Sequence, residues 1–496
     1  PPARGGGAAV GVAFSDVFLL HRSPAGGHVE RPARLEAVCR ALREAGLWSA
    51  LCSLPCRPAR PEELLRVHTK GYVRKLERLG NLCAEATSGA MDDQEGATGR
   101  AAPAAAPAGP PAGPPAASGK AVVAAVATKT AAAAAASAAA AKLADQLERL
   151  NLDAEDAFFN EHTVRSAFLA AGSTIELVRA IVRGTVSNGL ALVRPPGHHS
   201  ERHCAQGFCV LNNVAIAARA AIDELGLERV LIVDWDVHHG NGTQNAFLDD
   251  PRVLYCSVHR FDFGKFYPNQ ESAGPRAVGR GEGVGFNVNV AWNGKGMGDA
   301  EYFSAWERVV LPVARQFNPQ LILLSAGFDA AHGDSMGGCN VTPLGYALLL
   351  RKLLGLAGGR IALVLEGGYH LTSLSASVAA CTAVLVRAAA VWGKAASPAG
   401  GLPARQGQEP GGCLAEQEST ATQKATTAVD QYRLAEPAGT ATASDWRSLA
   451  SDAALDQHEL RCRTTTPSSA AVQAIEATVQ AHAKFWQWTS APIEQS

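Results

Sequence analysis

Short, continuously apolar runs rich in β-branched residues recur at Leu190–Val193, Val230–Val233, Val253–Val258, Leu321–Leu324 and Ile361–Leu365. Helical stretches separate several of them, among them Val214–Leu225 and Leu344–Leu356. Strands that are apolar throughout and alternate with helices predict an α/β fold, a central mostly parallel β-sheet flanked by helices on both faces. The alternating run Phe286–Val290 adds a strand after Gly279, Gly281, Gly283 and Gly285. Those glycines are read as a turn, because they miss the GxGxxG spacing and lead into a strand rather than a helix.

Elsewhere the periodicity fails. Residues 84–118 are rich in Ala, Pro and Gly, and residues 119–142 are nearly pure Ala with a few Lys and Thr. They predict a low-complexity insert at about 84–145, flexible and partly helical, that interrupts one domain over 1–395 and buries little surface. A second such region, 396–470, reads as a linker. Beyond it Val472, Ile475, Val479 and Trp486 fall at helical spacing. They predict an amphipathic helix over 471–488 that docks on the main body, with a partner-binding helix as the alternative.

The chain of 496 residues is 47% hydrophobic, enough for a large core, while 45 Lys+Arg against 46 Asp+Glu leave a net charge of -1. That balance offers no electrostatic footprint for nucleic acid or an anionic membrane. The Ala131–Ala141 run is too short and too weakly apolar to span a bilayer. Eleven cysteines, without CxxC pairs at Cys52/Cys56 or Cys204/Cys209, suit a reducing compartment and argue against a structural zinc site. Pro1 opens the chain with no Met and no leader pattern, as a trimmed N-terminus would.

The chemistry follows the strands. After Val193 comes RPPGHH, after Val233 DWDVHHGNG, after Leu324 SAGFDAAHGD, and after Leu365 EGGYH. Ligands bind beyond the carboxyl ends of parallel strands, so four such ends predict one shared site. Asp234, Asp236 and His238 alternate along an extended segment and can project to one side. With Asp329 from another strand end, Asp236 and His238 make a three-ligand metal site with an open position, the arrangement of a catalytic zinc. Asp234 is then free to support that shell. The adjacent His198 and His199 suit general acid–base work near neutral pH. Asp234 and Asn241 are the respective candidates to fix their tautomers, and an amide partner keeps His199 easier to hold neutral.

RPPGHH, GFCVLNN, LIVDWDVHHGNGTQ, SAGFDAAHGD and LEGGYH occur in the order and spacing of the zinc-dependent histone deacetylases, and the chain resembles that family over about residues 14–83 and 150–388. Asn241 within DVHHGNG resembles the class II branch. The resemblance implies the arginase/deacetylase-like fold, Zn2+ at Asp236, His238 and Asp329, and hydrolysis of the acetamide of acetyl-lysine. It makes His199 the proton shuttle and His198 mainly electrostatic, and it has Tyr369 hydrogen-bond the substrate carbonyl. It sets Phe208 and Tyr267 as aromatic tunnel walls, with Gly207 where a side chain would obstruct the tunnel. It puts a structural K+ at Asp234 and Ser257, and Asp156, among the acidic residues at 153–156, against the substrate backbone.

The resemblance implies an acetylated protein, a histone tail or another, as partner, a corepressor-type complex, and a place in nucleus or cytoplasm; the low-complexity regions hint at partners in a complex but name none. An organelle is left open by the trimmed start. Two alternatives stand beside this reading. Polyamine-selective relatives place a glutamate near the tunnel mouth, where Met336 stands here. An acetyl-lysine-binding scaffold without turnover is the third, opposed by the intact ligands, both histidines and Tyr369.

Overall fold

Strand β1 (Val10–Ala13) lies beside β2 (Leu51–Ser53) and β3 (Asn188–Ala191), and β4 (Val230–Asp234), β5 (Val253–Arg260), β6 (Asn287–Trp292), β7 (Leu321–Ala326) and β8 (Ile361–Leu365) complete one sheet. The order is β2-β1-β3-β8-β7-β4-β5-β6, with every pair parallel. In the computed structural model the described residues are 9–95, 141–150, 152, 156–395 and 450–488. Most of the insert expected at 84–145, most of the linker expected at 396–470, and Asp153 and Glu155 lie outside them.

The order explains how one site forms. The four strands followed by His, Asp and Tyr motifs, β3, β8, β7 and β4, are consecutive neighbours in the sheet. Their carboxyl ends therefore open side by side. Immediately after β4 the period of two persists, so Asp234, Asp236 and His238 face the site while Trp235 turns to the core. Trp235 packs there against Trp306, Phe328 and Tyr346.

Two strands escape the sequence reading. β1 is Val-Gly-Val-Ala and β2 is a half-exposed Leu-Cys-Ser at the sheet edge, both too short to show a period. β3 begins two residues earlier than expected, because pairing with β1 and β8 extends over Asn188 and Gly189.

The linker expected to run to 470 is instead helical over Asp452–Thr464. Ser451 caps that helix by accepting from Ala454 N–H, and Ala454, Leu455, His458 and Cys462 form its buried face. Glu459 fixes it to Arg351 and Lys352. The next helix, Ser469–His482, covers the edge strand β6, with Thr478 Oγ1 donating to Asn289 O at 2.8 Å. Trp486 Nε1 donates to Gly285 O at 2.9 Å and closes the same edge.

Helix Leu371–Ala395 contains a stretch, Leu371–Val391, long and apolar enough to cross a membrane. Two-thirds of its apolar window is buried, between helices Ala33–Glu44 and Pro343–Leu354.

The core also holds histidines that burial keeps neutral. His21 is pushed down to about 3, and His68, His259 and His482 to about 4. An unfolded chain protonates these rings near 6.5, so below that pH it binds more protons than the folded chain and stability falls as pH falls. Each of the three rings near 4 contributes a loss on the order of 3 kcal/mol by pH 4. Urea unfolding midpoints should therefore decline steadily between pH 6.5 and 4. A midpoint flat across that window would contradict this assignment.

Candidate active site

Asp236, His238 and Asp329 are buried, and one ligand atom of each lies within 4.8 Å of the other two. His238 Nδ1 stands 3.1 Å from Asp236 Oδ1 and 3.1 Å from Asp329 Oδ2. A single ring N–H cannot satisfy two facing carboxylates, and at such separations like charges repel by roughly 3–4 kcal/mol even at an effective dielectric of 20. Backbone donors share the load. Val237 N–H reaches Asp329 Oδ1 at 2.9 Å, while Gly367 N–H and His238 N–H each reach Asp236 at 2.9 Å. Despite burial, His198 and His238 hold the Asp236 carboxyl well below its ordinary range, whereas burial and the charge of Asp236 push Asp329 up. His238 is raised to about 9, because the two carboxylates outweigh its burial.

Glycine makes the convergence feasible. A Cβ on Gly367 would sit 2.3 Å from Asp329 Oδ2 and 2.6 Å from Asp236 Oδ2. Two carboxylates and an imidazole nitrogen aimed at one point form the donor set of a zinc-class cation, whose charge would replace the repulsion by attraction.

The tandem histidines sit beside this group, their rings 4.0 Å apart, and their partners differ. His198 Nδ1 bonds Asp234 Oδ2 at 3.1 Å, and its Nε2 is 3.7 Å from Asp236. Burial would lower His198, but Asp236 and Asp234 outweigh it and raise the ring to about 10. His199 Nδ1 bonds Asn241 Oδ1 at 2.8 Å. The orientation of that amide follows from its other end, where Nδ2 donates to Glu201 at 2.7 Å and Gln206 at 3.1 Å. His199 therefore carries its proton on Nδ1, leaving Nε2 as an acceptor. Burial, together with His198 and His238, keeps it well below its usual pKa.

Around these groups stand the expected aromatic residues. Tyr267 meets His199 edge-on with ring centres 5.0 Å apart, and Phe208 meets Tyr369 at 6.0 Å. Phe208 has φ 66° and follows Gly207 at φ 55°, two consecutive residues in the left-handed region. A Cβ on Gly207 would lie 2.4 Å from His199 Cδ2. Asp156 links these two aromatic residues, since its carbonyl accepts from Phe208 N–H at 2.9 Å and its carboxylate from the Tyr267 hydroxyl. Burial and Asp329 push the Tyr369 phenol well up, so it stays protonated. Ser257 and Asp234 are register partners on β5 and β4, with the Ser257 hydroxyl 2.8 Å from His259 Nδ1. Met336, half-buried, lies on the loop that carries Asp329.

Several residues of the site escaped the sequence reading. Phe266 stacks on His238 with ring centres 5.1 Å apart. Tyr255 donates to Asp234 at 3.0 Å. Glu366 accepts from Gly197 N–H at 2.6 Å and His198 N–H at 3.1 Å, fixing the turn before the histidines. With His198 and Cys209 it forms a second compact group, but its Oε2 already serves both amides, its Oε1 accepts from Ser325 Oγ at 3.3 Å, and burial pushes the Cys209 thiol well up. Arg34 donates to Glu366 O at 2.5 Å and Gly368 O at 2.6 Å, and its guanidinium lies 5.1 Å from the Tyr369 ring centre. Arg34 lies in HVERPARLEAV, residues 28–38, a stretch inside the span of the family resemblance and the signal that could have led to it.

Comparison with known proteins places these motifs in context. Residues 28–385 match the family model described as Histone deacetylase domain. Histone deacetylase 5 of Arabidopsis thaliana is 38% identical over 381 residues, 76% of this chain and 49% of that protein. Polyamine deacetylase HDAC10 of Homo sapiens is 42% identical over 353 residues, 71% of this chain and 43% of that one. The crystal structure of the HDA15 HD domain is 30% identical with a TM-score of 0.65, covering 96% of each chain. The chain spans about half the length of the curated relatives it matches.

The buried Arg34 fork suggests a direct check. Arg34→Lys keeps the charge next to Glu30 but replaces a planar fork by a point charge, so the two carbonyl bonds cannot both form. Amide exchange across residues 366–370 should accelerate in Arg34→Lys, read by mass spectrometry, while exchange in β7 stays unchanged. Equal protection of that segment in both proteins would remove Arg34 from the site's scaffold.

Proposed function

The chain belongs to the histone deacetylase family, and on that premise we propose that it is a zinc-dependent deacetylase that hydrolyses the acetamide of N6-acetyl-lysine in histones or other proteins, releasing acetate. The observation that carries the reading is the convergence of Asp236, His238 and Asp329 beside a neutral His199 whose Nδ1 is tied to an amide. A zinc ion held by those three residues would supply Lewis-acid polarisation of the acetamide carbonyl.

The chain's own groups do the rest. Phe208 and Tyr267 grip the lysine methylenes between apolar ring faces and exclude water. His199 Nε2 takes the proton of the attacking water, and its Nδ1–H stays on Asn241. Tyr369, protonated at working pH, donates to the oxygen where negative charge develops. His198, held charged by Asp234 and Asp236, adds a positive field beside that oxygen. His199 then returns its proton to the lysine nitrogen as the C–N bond breaks.

Asp234 and Ser257 are proposed to hold a structural K+, supported by their pairing across β4 and β5. Asp156, at the junction of the two tunnel walls, is proposed to receive the substrate backbone. Among the described residues no disulfide joins two cysteines, which supports a nuclear or cytoplasmic setting, and a corepressor-type complex is proposed as partner.

A second reading, hydrolysis of acetylated polyamines, is favoured by relatives named polyamine deacetylases at 42–53% identity. Met336 weighs against it, because a thioether at the tunnel mouth offers no charge to a polyamine cation.

The purified chain should turn over an acetyl-lysine peptide, lose that activity on chelation and regain it with zinc. Tyr369→Phe should cost about 10²–10³-fold in kcat, the scale of one oxyanion donor. Faster turnover of acetylspermidine than of the peptide would favour the second reading; tight peptide binding with no turnover would leave a scaffold. Asn241→Asp tests the base separately. A carboxylate there should raise His199 and move the acidic limb of the pH–rate profile upward by about one to three units. An unmoved limb would exclude His199 as the group that must be neutral.

A further inference from the structure

We propose that Asp334 is the positioning residue for Tyr369, a role that rests on the reading above in which the Tyr369 phenol donates to the substrate oxygen. Asp334 is buried, and its Oδ2 accepts from Tyr369 N–H at 2.6 Å and His370 N–H at 3.0 Å. Its Oδ1 accepts from Met336 N–H at 2.9 Å. One carboxylate thus takes three backbone donors, two from the segment after β8 and one from its own loop. Charge-assisted bonds of this kind are short and about twice as strong as neutral ones.

The rest of that segment is pinned from other sides. Arg34 holds the carbonyls of Glu366 and Gly368, and Asp236 accepts from Gly367 N–H. Gly368, at φ 114°, then reverses the chain, so the direction in which Tyr369 leaves the backbone depends on what anchors its own amide. That anchor is Asp334. It lies on the loop that also carries Asp329, so one loop sets the metal-ligand position and the tyrosine together. A donor aimed at a developing oxyanion needs placement to about 0.5 Å, which a single rigid loop can provide. The same carboxylate fixes Met336, so the tunnel-mouth position and the catalytic tyrosine share one anchor.

Asp334→Asn removes the negative charge and leaves one acceptor oxygen for three N–H donors, so an amino group is set against at least one of them. In holoenzyme loaded with zinc, kcat for an acetyl-lysine peptide should fall on the order of 10²-fold, with KM and bound zinc unchanged. In a Tyr369→Phe background the same change should cost almost nothing further, since both remove one donor. Equal losses in the two backgrounds, or an undiminished kcat in Asp334→Asn, would overturn the assignment. Amide exchange gives a readout free of turnover: Tyr369 and His370 should be protected in the wild-type chain and exposed in Asp334→Asn. Should that variant not fold, unprotected amides in the wild-type protein would overturn the proposal by themselves. A wild-type enzyme inactive on both peptide and acetylspermidine would sink the deacetylase reading, and the exchange measurement would still decide the clamp.

Discussion

The buried approach of Asp236 and Asp329 is the constraint around which the site is built. Left alone, two desolvated carboxylates this close would take up a proton or move apart. They stay because three backbone N–H groups and His238 Nδ1 surround them, and because Gly367 leaves room that any side chain would fill. Those donors come from segments after β4 and β8, while Asp329 follows β7. Neighbouring strands are therefore required, and the sheet order supplies them.

The same economy separates the two histidines. They are adjacent in sequence and equally buried, so burial alone would make both neutral. Asp236 and Asp234 together make one a cation, and Asn241 leaves the other an acceptor. Asn241 does this only because Glu201 and Gln206 occupy its amino end and turn its oxygen to His199. One uncharged amide, oriented from behind, decides which ring carries which proton.

Sequence carried the sheet's interior and the chemistry well, because both write locally. A buried parallel strand is a continuous apolar run, and a strand-end ligand is a polar residue directly after it, as with Val230–Val233 and Asp234. What it did not carry depends on pairing at a distance. β1 and β2 are too short to announce themselves and exist only through β3. Helix Asp452–Thr464 has a weak apolar face and owes its place to Arg351 and Lys352. Arg34 lies 334 residues from the carbonyl it holds, and Glu366 looks like a strand end until its carboxylate is seen capping Gly197.

That last pair shows why the N-terminal stretch belongs to the site although none of it faces the tandem histidines. Glu30 is fully buried, and burial alone would neutralise it, yet Arg194 and Arg34 hold its carboxyl down at about 2. Arg194 directly precedes the turn that carries His198, and Arg34 grips the segment that carries Tyr369. A buried ion cluster of this kind adds little net stability over a well-packed apolar one. Its value lies in geometry: with one partner lost, the remaining charges could not stay buried where they are. Glu30 therefore ties the end of β3 to the end of β8 through two guanidinium forks. A residue that bonds neither the tandem histidines nor the phenol thus links the segments that carry them.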